Sequence, residues 1–304
     1  MKSTEVIVED SLSIKSIFSW SNFKAIVKDG IVKSNLLGMF AGLSVALSVY
    51  NVSFVDNILV VILALLGTAA VVGGAGAINN YYDRDIDSLM KRTMERPTVT
   101  GSIHPKFALW LGTALSISGI VFLFIISPLT AFIGALGLFL YLVPYTMWTK
   151  RKTIYNTEVG SLSGAIAPLI GWAAISSDMF HPAAIGLFVL MFLWQPPHFY
   201  AIAIRRLEDY KNASVPMLPV VKGTPRAKIQ TIVYLILLLA SSFLFLSFSK
   251  VVAFSMFALT LAWMLAGIIG FKKMDDYKWA TMMFIFSLNH LTIIFTMLII
   301  VSFL

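Results

Sequence analysis

Asn79, Asp83 and Asp87 recur at intervals of four within NNYYDRDIDSLMKRTMERPTVTG, residues 79–101. On a helix this spacing stacks three oxygen-bearing side chains along one face, about 6 Å apart per step. Asp85 stands beside them, and carboxylates at the edge of an apolar region are costly unless they pair or face a cavity. The chain contains no cysteine, and no histidine lies near the ladder. Hard oxygen donors of this kind favour Mg2+, which keeps several waters and bridges one or two carboxylates to phosphate. Arg84, Lys91, Arg92 and Arg96 follow at once, and guanidinium forks suit phosphate oxygens. Acids, cation and basic residues together describe a diphosphate clamp. The competing reading is a salt-bridged, solvated loop that only enforces topology.

The elements that must position such a clamp are membrane helices. Of 304 residues 58% are hydrophobic and only 12% charged, with a mean hydropathy of +0.85, far from the composition of a water-soluble domain. Apolar runs of about 20 residues match the hydrocarbon core of a bilayer and exclude a porin-type barrel. The expected fold is all-α, with nine transmembrane helices near 35–54, 57–79, 107–126, 129–147, 157–176, 182–204, 229–248, 251–271 and 279–303, around a central cavity open to the cytoplasmic side. Residues 1–34 form a cytoplasmic or interfacial segment and 35–304 the membrane domain. Nine spans place 22 of the 23 lysines and arginines on one side, with Lys250 alone opposite. The positive-inside rule then sets the N-terminus in the cytoplasm and the C-terminus outside. The net charge of +8 reads as a topology signal together with anion attraction and does not argue for nucleic acid. No cleavable leader is read at the start, which favours a bacterial plasma membrane. The head sets Leu12, Ile14, Ile17, Phe18, Phe23, Ile26 and Val27 among Lys and Ser, as an interfacial amphipathic helix or an ordered tail would. Tyr81, Tyr82, Tyr141, Tyr145 and Trp148 read as interfacial belt residues or as cavity lining.

The two long basic joints rhyme. Pro97, Gly101 and Pro105 in the first correspond to Pro219, Gly223 and Pro225 in the second, which suggests a duplicated unit. The ladder itself, with Arg92-Thr93, Arg96 and Gly101, resembles at every position the first signature of the UbiA-type intramembrane prenyltransferases. LVPYTMWTKR (142–151), APLIGWAA (167–174) and FLWQPPHFYAIAIRRLEDYKNASVPMLPVVKG (192–223) are similar to the haem-farnesylating branch of that family. The resemblance covers roughly 35–300.

That resemblance implies a membrane prenyltransferase with Mg2+ as cofactor. Its substrates would be farnesyl diphosphate and haem B, whose vinyl group is farnesylated and hydrated to haem O. A downstream haem A synthase or oxidase-assembly partner would receive the product. Asn79, Asp83 and Asp87 would carry catalysis and hold metal, with Lys150, Arg151 and Asn156 adding to the diphosphate site. In the second acidic motif, Arg205 stands where the wider family has its first Asp; Asp209 keeps the second, as a metal ligand, and Glu208 lies beside it. Arg205 and Arg206 would then contact diphosphate directly, or a haem propionate. His198, after Pro196-Pro197, which are expected to disrupt their helix, is a haem-iron ligand, a substrate-orienting group or a simple cap. His290, in mid-span, is an interhelical hydrogen bond or a haem contact. His104 and His181 are ordinary joint residues, and Glu158 is the other acid near that face. No Ser, His and Asp spacing supports a covalent triad. The alternatives are a relative acting on an aromatic quinone precursor, which would carry Asp at position 205, a secondary transporter, and a non-catalytic haem-binding assembly factor.

Overall fold

The computed structural model describes residues 19–304, so the head as far as residue 18, with Lys2 and Lys15, lies outside the described residues. In chain order the helices are α1 (Trp20–Val27), α2 (Asp29–Val49), α3 (Ile58–Tyr82), α4 (Arg84–Asp87), α5 (Pro97–Thr100), α6 (Pro105–Ile126), α7 (Pro128–Leu140), which continues as a π-helix over Tyr141–Thr149, α8 (Asn156–Gly164) and α9 (Ile166–Ala173). Then come α10 (Pro182–Arg205), α11 (Leu207–Asn212), α12 (Leu218–Lys222), α13 (Thr224–Ser241) with a 3-10 turn over Ser242–Ser247, α14 (Lys250–Lys273) and α15 (Asp276–Ser302). Among the described residues eight helices are long and apolar enough to cross a bilayer: α2, α3, α6, α7 with its π-helix, α10, α13 with its 3-10 turn, α14 and α15. This is a multi-pass membrane protein.

The expected fifth span is present but divided between α8 and α9, so the count of nine holds only if this broken pair is taken as one crossing. Pro168 is the physical reason. It has no N–H to return to the Gly164 carbonyl, and its ring crowds that carbonyl. The pair still runs from one end of the bundle to the other. Near its start Asn156 Nδ2 donates to the Pro216 carbonyl (3.3 Å), and at its finish Thr130, in the first turn of α7, donates to the Ala173 carbonyl (2.9 Å).

The helices pack as a ring in which α3 lies against α2 and α6, and α15 closes against α2, α10 and α14. Lipid does not drive helices together hydrophobically, so close van der Waals approach must do so. Along α3 and α6, Gly67 faces Gly119 and Gly74 faces Gly112. A Cβ on Gly42 would strike the Pro168 carbonyl, and one on Gly171 that of Met39. Outward, Trp110, Phe124, Phe132 and Ile269 are each more than half exposed, as acyl-chain contact allows. Pro105 and Pro182 open α6 and α10, where His104 and His181 accept the backbone N–H of Lys106 (3.2 Å) and Ala183 (3.1 Å). Both histidines are helix caps.

The long joints lie at the same end of the bundle, here the motif end, and pack together through Ile86, Met90, Ala203, Ala213, Val215 and Met217. Their rhyme is structural. In each, a short helix with proline in its first turn (α5, α12) ends on a glycine with positive φ, +80° at Gly101 and +81° at Gly223, and a proline then opens the next crossing. Placing a side chain on Gly171 should therefore separate α9 from α2. Gly171→Val is expected to lower the unfolding temperature in detergent, by overpacking of about 1–3 kcal/mol, and a thermal melt of the purified variant measures it.

Candidate active site

The ladder forms at the C-terminus of α3. Asn79 Nδ2 donates to Asp83 Oδ2 (2.7 Å) and to Thr146 Oγ1 (3.1 Å). The chain turns at Asp83 without losing the face, because the Asp87 N–H bonds back to the Asp83 carbonyl (2.8 Å). Asn79, Asp83 and Asp87 are 1%, 0% and 3% exposed. Anions so withdrawn from water must be paired, and basic side chains from several elements meet them. Lys150 Nζ donates to Asp83 Oδ2, Arg151 Nη2 approaches Asp83 Oδ1 (3.4 Å), and Arg96 Nη1 binds Asp87 Oδ2 (2.5 Å). Arg151 also grips Asp85 with two hydrogen bonds (2.6 and 2.8 Å). Those bonds hold the Asp85 carboxyl below its usual range.

Lys150 and Arg151 arrive through the π-helix. Pro144 supplies no N–H, the turn widens, and the Lys150 N–H reaches the Tyr145 carbonyl five residues back (2.9 Å). Tyr141 and Tyr145, on the same π-helix, are half-buried, with ring centroids 5.6 Å apart.

One residue of the cluster escaped sequence reasoning. Lys28 Nζ donates to Asn79 Oδ1, from a position between α1 and α2 with φ +56°, a conformation unusual for a residue with a side chain. Burial, with Arg96 and Lys150 alongside, drives its ammonium well below a lysine's ordinary value. The sequence shows it only as one positive charge among the others at this end. The neighbouring Asn80 turns the opposite way and holds α1 in place, donating to the Ile26 carbonyl (2.7 Å).

The remaining predicted residues divide. Asp209, on α11, reaches the first joint. Its Oδ1 accepts the Lys91 backbone N–H (3.3 Å), while Oδ2 is buried with no partner among the described residues. Next to it, burial raises the Tyr210 hydroxyl above its ordinary value, and the charges of Arg92, Lys150 and Asp209 all bear on it. Arg92 and the Lys91 side chain are exposed. Arg84 folds back onto its own turn, donating to the Tyr81 carbonyl (2.8 Å) and lying over the Tyr81 ring, and Arg206 is exposed beyond α10. The structure does not bring these last two into the cluster. Asn156 likewise spends its amide on the Thr153 and Pro216 carbonyls.

Arg205 stands on another face. Its guanidinium lies 4.8 Å from the Phe284 ring centroid, with Nε buried and unpartnered among the described residues. Phe284 also stacks on His198 (5.1 Å), whose other face meets Trp194 (4.6 Å). His198 Nδ1 bonds Ser287 Oγ (2.7 Å), so Nε2 is the nitrogen left over. Pro196-Pro197 do not break α10, which runs unbroken to Arg205. The flanking side chains tie that stretch down, Trp194 to the Ser287 carbonyl (2.9 Å) and Gln195 to the Ser161 carbonyl (3.1 Å). His290 is not brought to this face. It is 3% exposed, with Nε2 on Thr260 Oγ1 (2.8 Å) across α14 and α15.

Among the described residues no three His, Asp or Glu side chains gather as a metal site. A cation held here would draw on carboxylate and amide oxygens and complete its shell with water or phosphate. Asn79, Asp83, Asp87 and the unsatisfied Asp209 Oδ2 are the donor types that Mg2+ takes in that way. Without Arg96 the buried Asp87 would lose its counter-ion. Arg96→Met should lower stability by about 3 kcal/mol, and adding Asp87→Asn should recover part of the loss; a double-mutant cycle by thermal unfolding tests both.

Comparison with known proteins shows the family. The family model described as the UbiA prenyltransferase family matches residues 36–289. The chain is 58% identical over 273 residues to the protoheme IX farnesyltransferase of Shouchella clausii, spanning 90% of this chain and 88% of that one. It is 44% identical over 289 residues to protoheme IX farnesyltransferase 2 of Bacillus subtilis, spanning 95% and 94%. The fold matches a digeranylgeranylglyceryl phosphate synthase structure with a TM-score of 0.74 at 18% identity, over 93% of this chain and 98% of the other. A UbiA homologue from Archaeoglobus fulgidus bound to GPP and Mg2+ aligns with a TM-score of 0.66 at 17% identity, over 91% and 99%. With its buried oxygen ladder and its fold, this chain belongs to the UbiA prenyltransferase family.

Proposed function

We propose that the protein transfers the farnesyl group of farnesyl diphosphate to a vinyl group of haem B and, with addition of water, yields haem O. The observation that carries the reading is the buried Asn79, Asp83 and Asp87 ladder ringed by Lys28, Arg96, Lys150 and Arg151, in a chain whose relatives at 44–58% identity are named as farnesyltransferases of this substrate. Asn79, Asp83, Asp87 and Asp209 would hold Mg2+, which when bound neutralises diphosphate charge and makes it a better leaving group.

The chain's own residues do the rest. Lys28, Arg96, Lys150 and Arg151 bind diphosphate oxygens as they turn from the carboxylates, with Arg92 at the rim, and stabilise the charge that grows as the C1–oxygen bond breaks and its electron pair leaves with diphosphate. The vinyl π pair of haem then forms the new carbon–carbon bond to C1, and water takes the resulting cationic carbon and gives up a proton. Tyr141 and Tyr145 line the space where the allylic cation would form, and their ring faces favour positive charge. The apolar walls hold the isoprenoid and limit early quenching by water. Along α10, His198 Nε2 faces the haem iron and Arg205 a propionate. His290 keeps α14 and α15 in register. The motif end and N-terminus lie in the cytoplasm, because Lys250 is the one basic residue at the far end among the described residues.

Protein given haem B, farnesyl diphosphate and Mg2+ should yield a haem of longer retention on reversed-phase chromatography. Chelation should stop the conversion, and Asp83→Ala should abolish it with membrane insertion intact; normal turnover by that variant would remove the clamp assignment. Lys28→Ala should raise KM for farnesyl diphosphate at least tenfold, the order of a lost hydrogen bond to a charged group, and leave KM for haem unchanged, with Lys28→Arg recovering part of the loss in steady-state kinetics.

A further inference from the structure

A cavity of about 440 Å3 opens at the motif end, between the start of α8, α12 and the first turns of α13. Tyr155, Glu158, Leu218, Lys222, Arg226 and Gln230 line it. Glu158 Oε1 accepts the hydroxyls of Tyr200 on α10 and Tyr234 on α13. Its Oε2 is buried with no partner among the described residues, and an unsatisfied buried carboxylate oxygen demands a donor. Opposite it, Lys222 and Arg226 are exposed and make no ion pair among the described residues. Arg226 is near enough to act electrostatically on the Tyr200 hydroxyl. The first turn of α13 begins at Gly223 without a side-chain cap, which leaves backbone N–H groups free for an anion.

The cavity thus pairs one buried acceptor with a cationic rim. A simple anion would satisfy the rim and leave Glu158 uncompensated, and a simple cation would do the reverse. A phosphodiester joined to a primary ammonium answers both. The cavity also lies at the level where spans end and head groups begin, flanked by exposed Tyr155, Val221 and Ile229. We propose that it binds the head group of a phosphatidylethanolamine-type phospholipid. The phosphodiester rests on Arg226, Lys222 and the α13 N-terminus, the ammonium donates to Glu158 Oε2, and the acyl chains descend along α13. The site ties α8, α10, α12 and α13 together beside the second joint and is independent of the transferase chemistry.

Native mass spectrometry of the full-length protein in detergent tests this by titration with phosphatidylethanolamine, phosphatidylglycerol and phosphatidylcholine. Wild-type protein should bind the ethanolamine lipid about tenfold more tightly than the choline lipid, whose quaternary ammonium has no N–H to give, and more tightly than the glycerol lipid. Glu158→Gln, nearly isosteric, should erase that preference, and Arg226→Gln should weaken all three lipids. Equal binding of ethanolamine and choline lipids by the wild type would overturn the proposal without recourse to any variant. So would glycerol lipid binding as tightly as ethanolamine lipid, a preference that survives Glu158→Gln, or soluble phosphoethanolamine binding as tightly as the lipid.

Discussion

Negative charge withdrawn from water at the end of a membrane helix must be balanced where it stands, and much of the motif end is arranged around that requirement. Asp83 and Asp87 are almost wholly buried, and an uncompensated carboxylate there would cost several kcal/mol. Four cationic side chains from the α1–α2 junction, the first joint and the end of the π-helix meet the ladder. Arg151 also pairs with Asp85, so these basic groups and the carboxylates of Asp83, Asp85 and Asp87 are held close to balance.

That convergence asks for backbone that regular helices do not provide. Lys28 adopts positive φ, Pro144 widens the end of α7 into a π-helix, and Pro168 divides the fifth crossing. Irregular backbone at membrane depth is tolerable only when its polar groups find partners within the protein. Here Thr149 Oγ1 returns a hydrogen bond to the Pro144 carbonyl (2.7 Å), and Gln195 serves the Ser161 carbonyl. The glycines of α3, α6 and α9 do the complementary work. By letting backbones touch they keep the bundle stiff around a site whose parts come from separate segments.

Much was legible in the chain itself. The apolar runs marked the crossings. The intervals of Asn79, Asp83 and Asp87 carried through even where α3 ends, because the backbone hydrogen bonding continues across Asp83. The echo between the long joints was also readable, since proline and a positive-φ glycine are demanded locally by the turns they make. The effect of Pro196-Pro197 was not. Those residues suggested a break, but α10 continues through them, tied to its neighbours by the Trp194 and Gln195 side chains, which donate to the Ser287 and Ser161 carbonyls.

Which basic residues serve the ladder could not be read from their proximity in sequence. Arg84 adjoins Asp83 yet turns away, and Lys28 is 51 residues from Asn79 yet binds it. Nor did the chain distinguish His198, with a free Nε2, from His290, committed to Thr260. Length, hydropathy and local spacing determined the membrane class, the order of crossings and the acidic face, because each follows from interactions within a turn or two. The pairing of charges, the division of the histidines and the lone oxygen of Glu158 were decided by tertiary structure, since they depend on which side chains distant segments bring within hydrogen-bond reach.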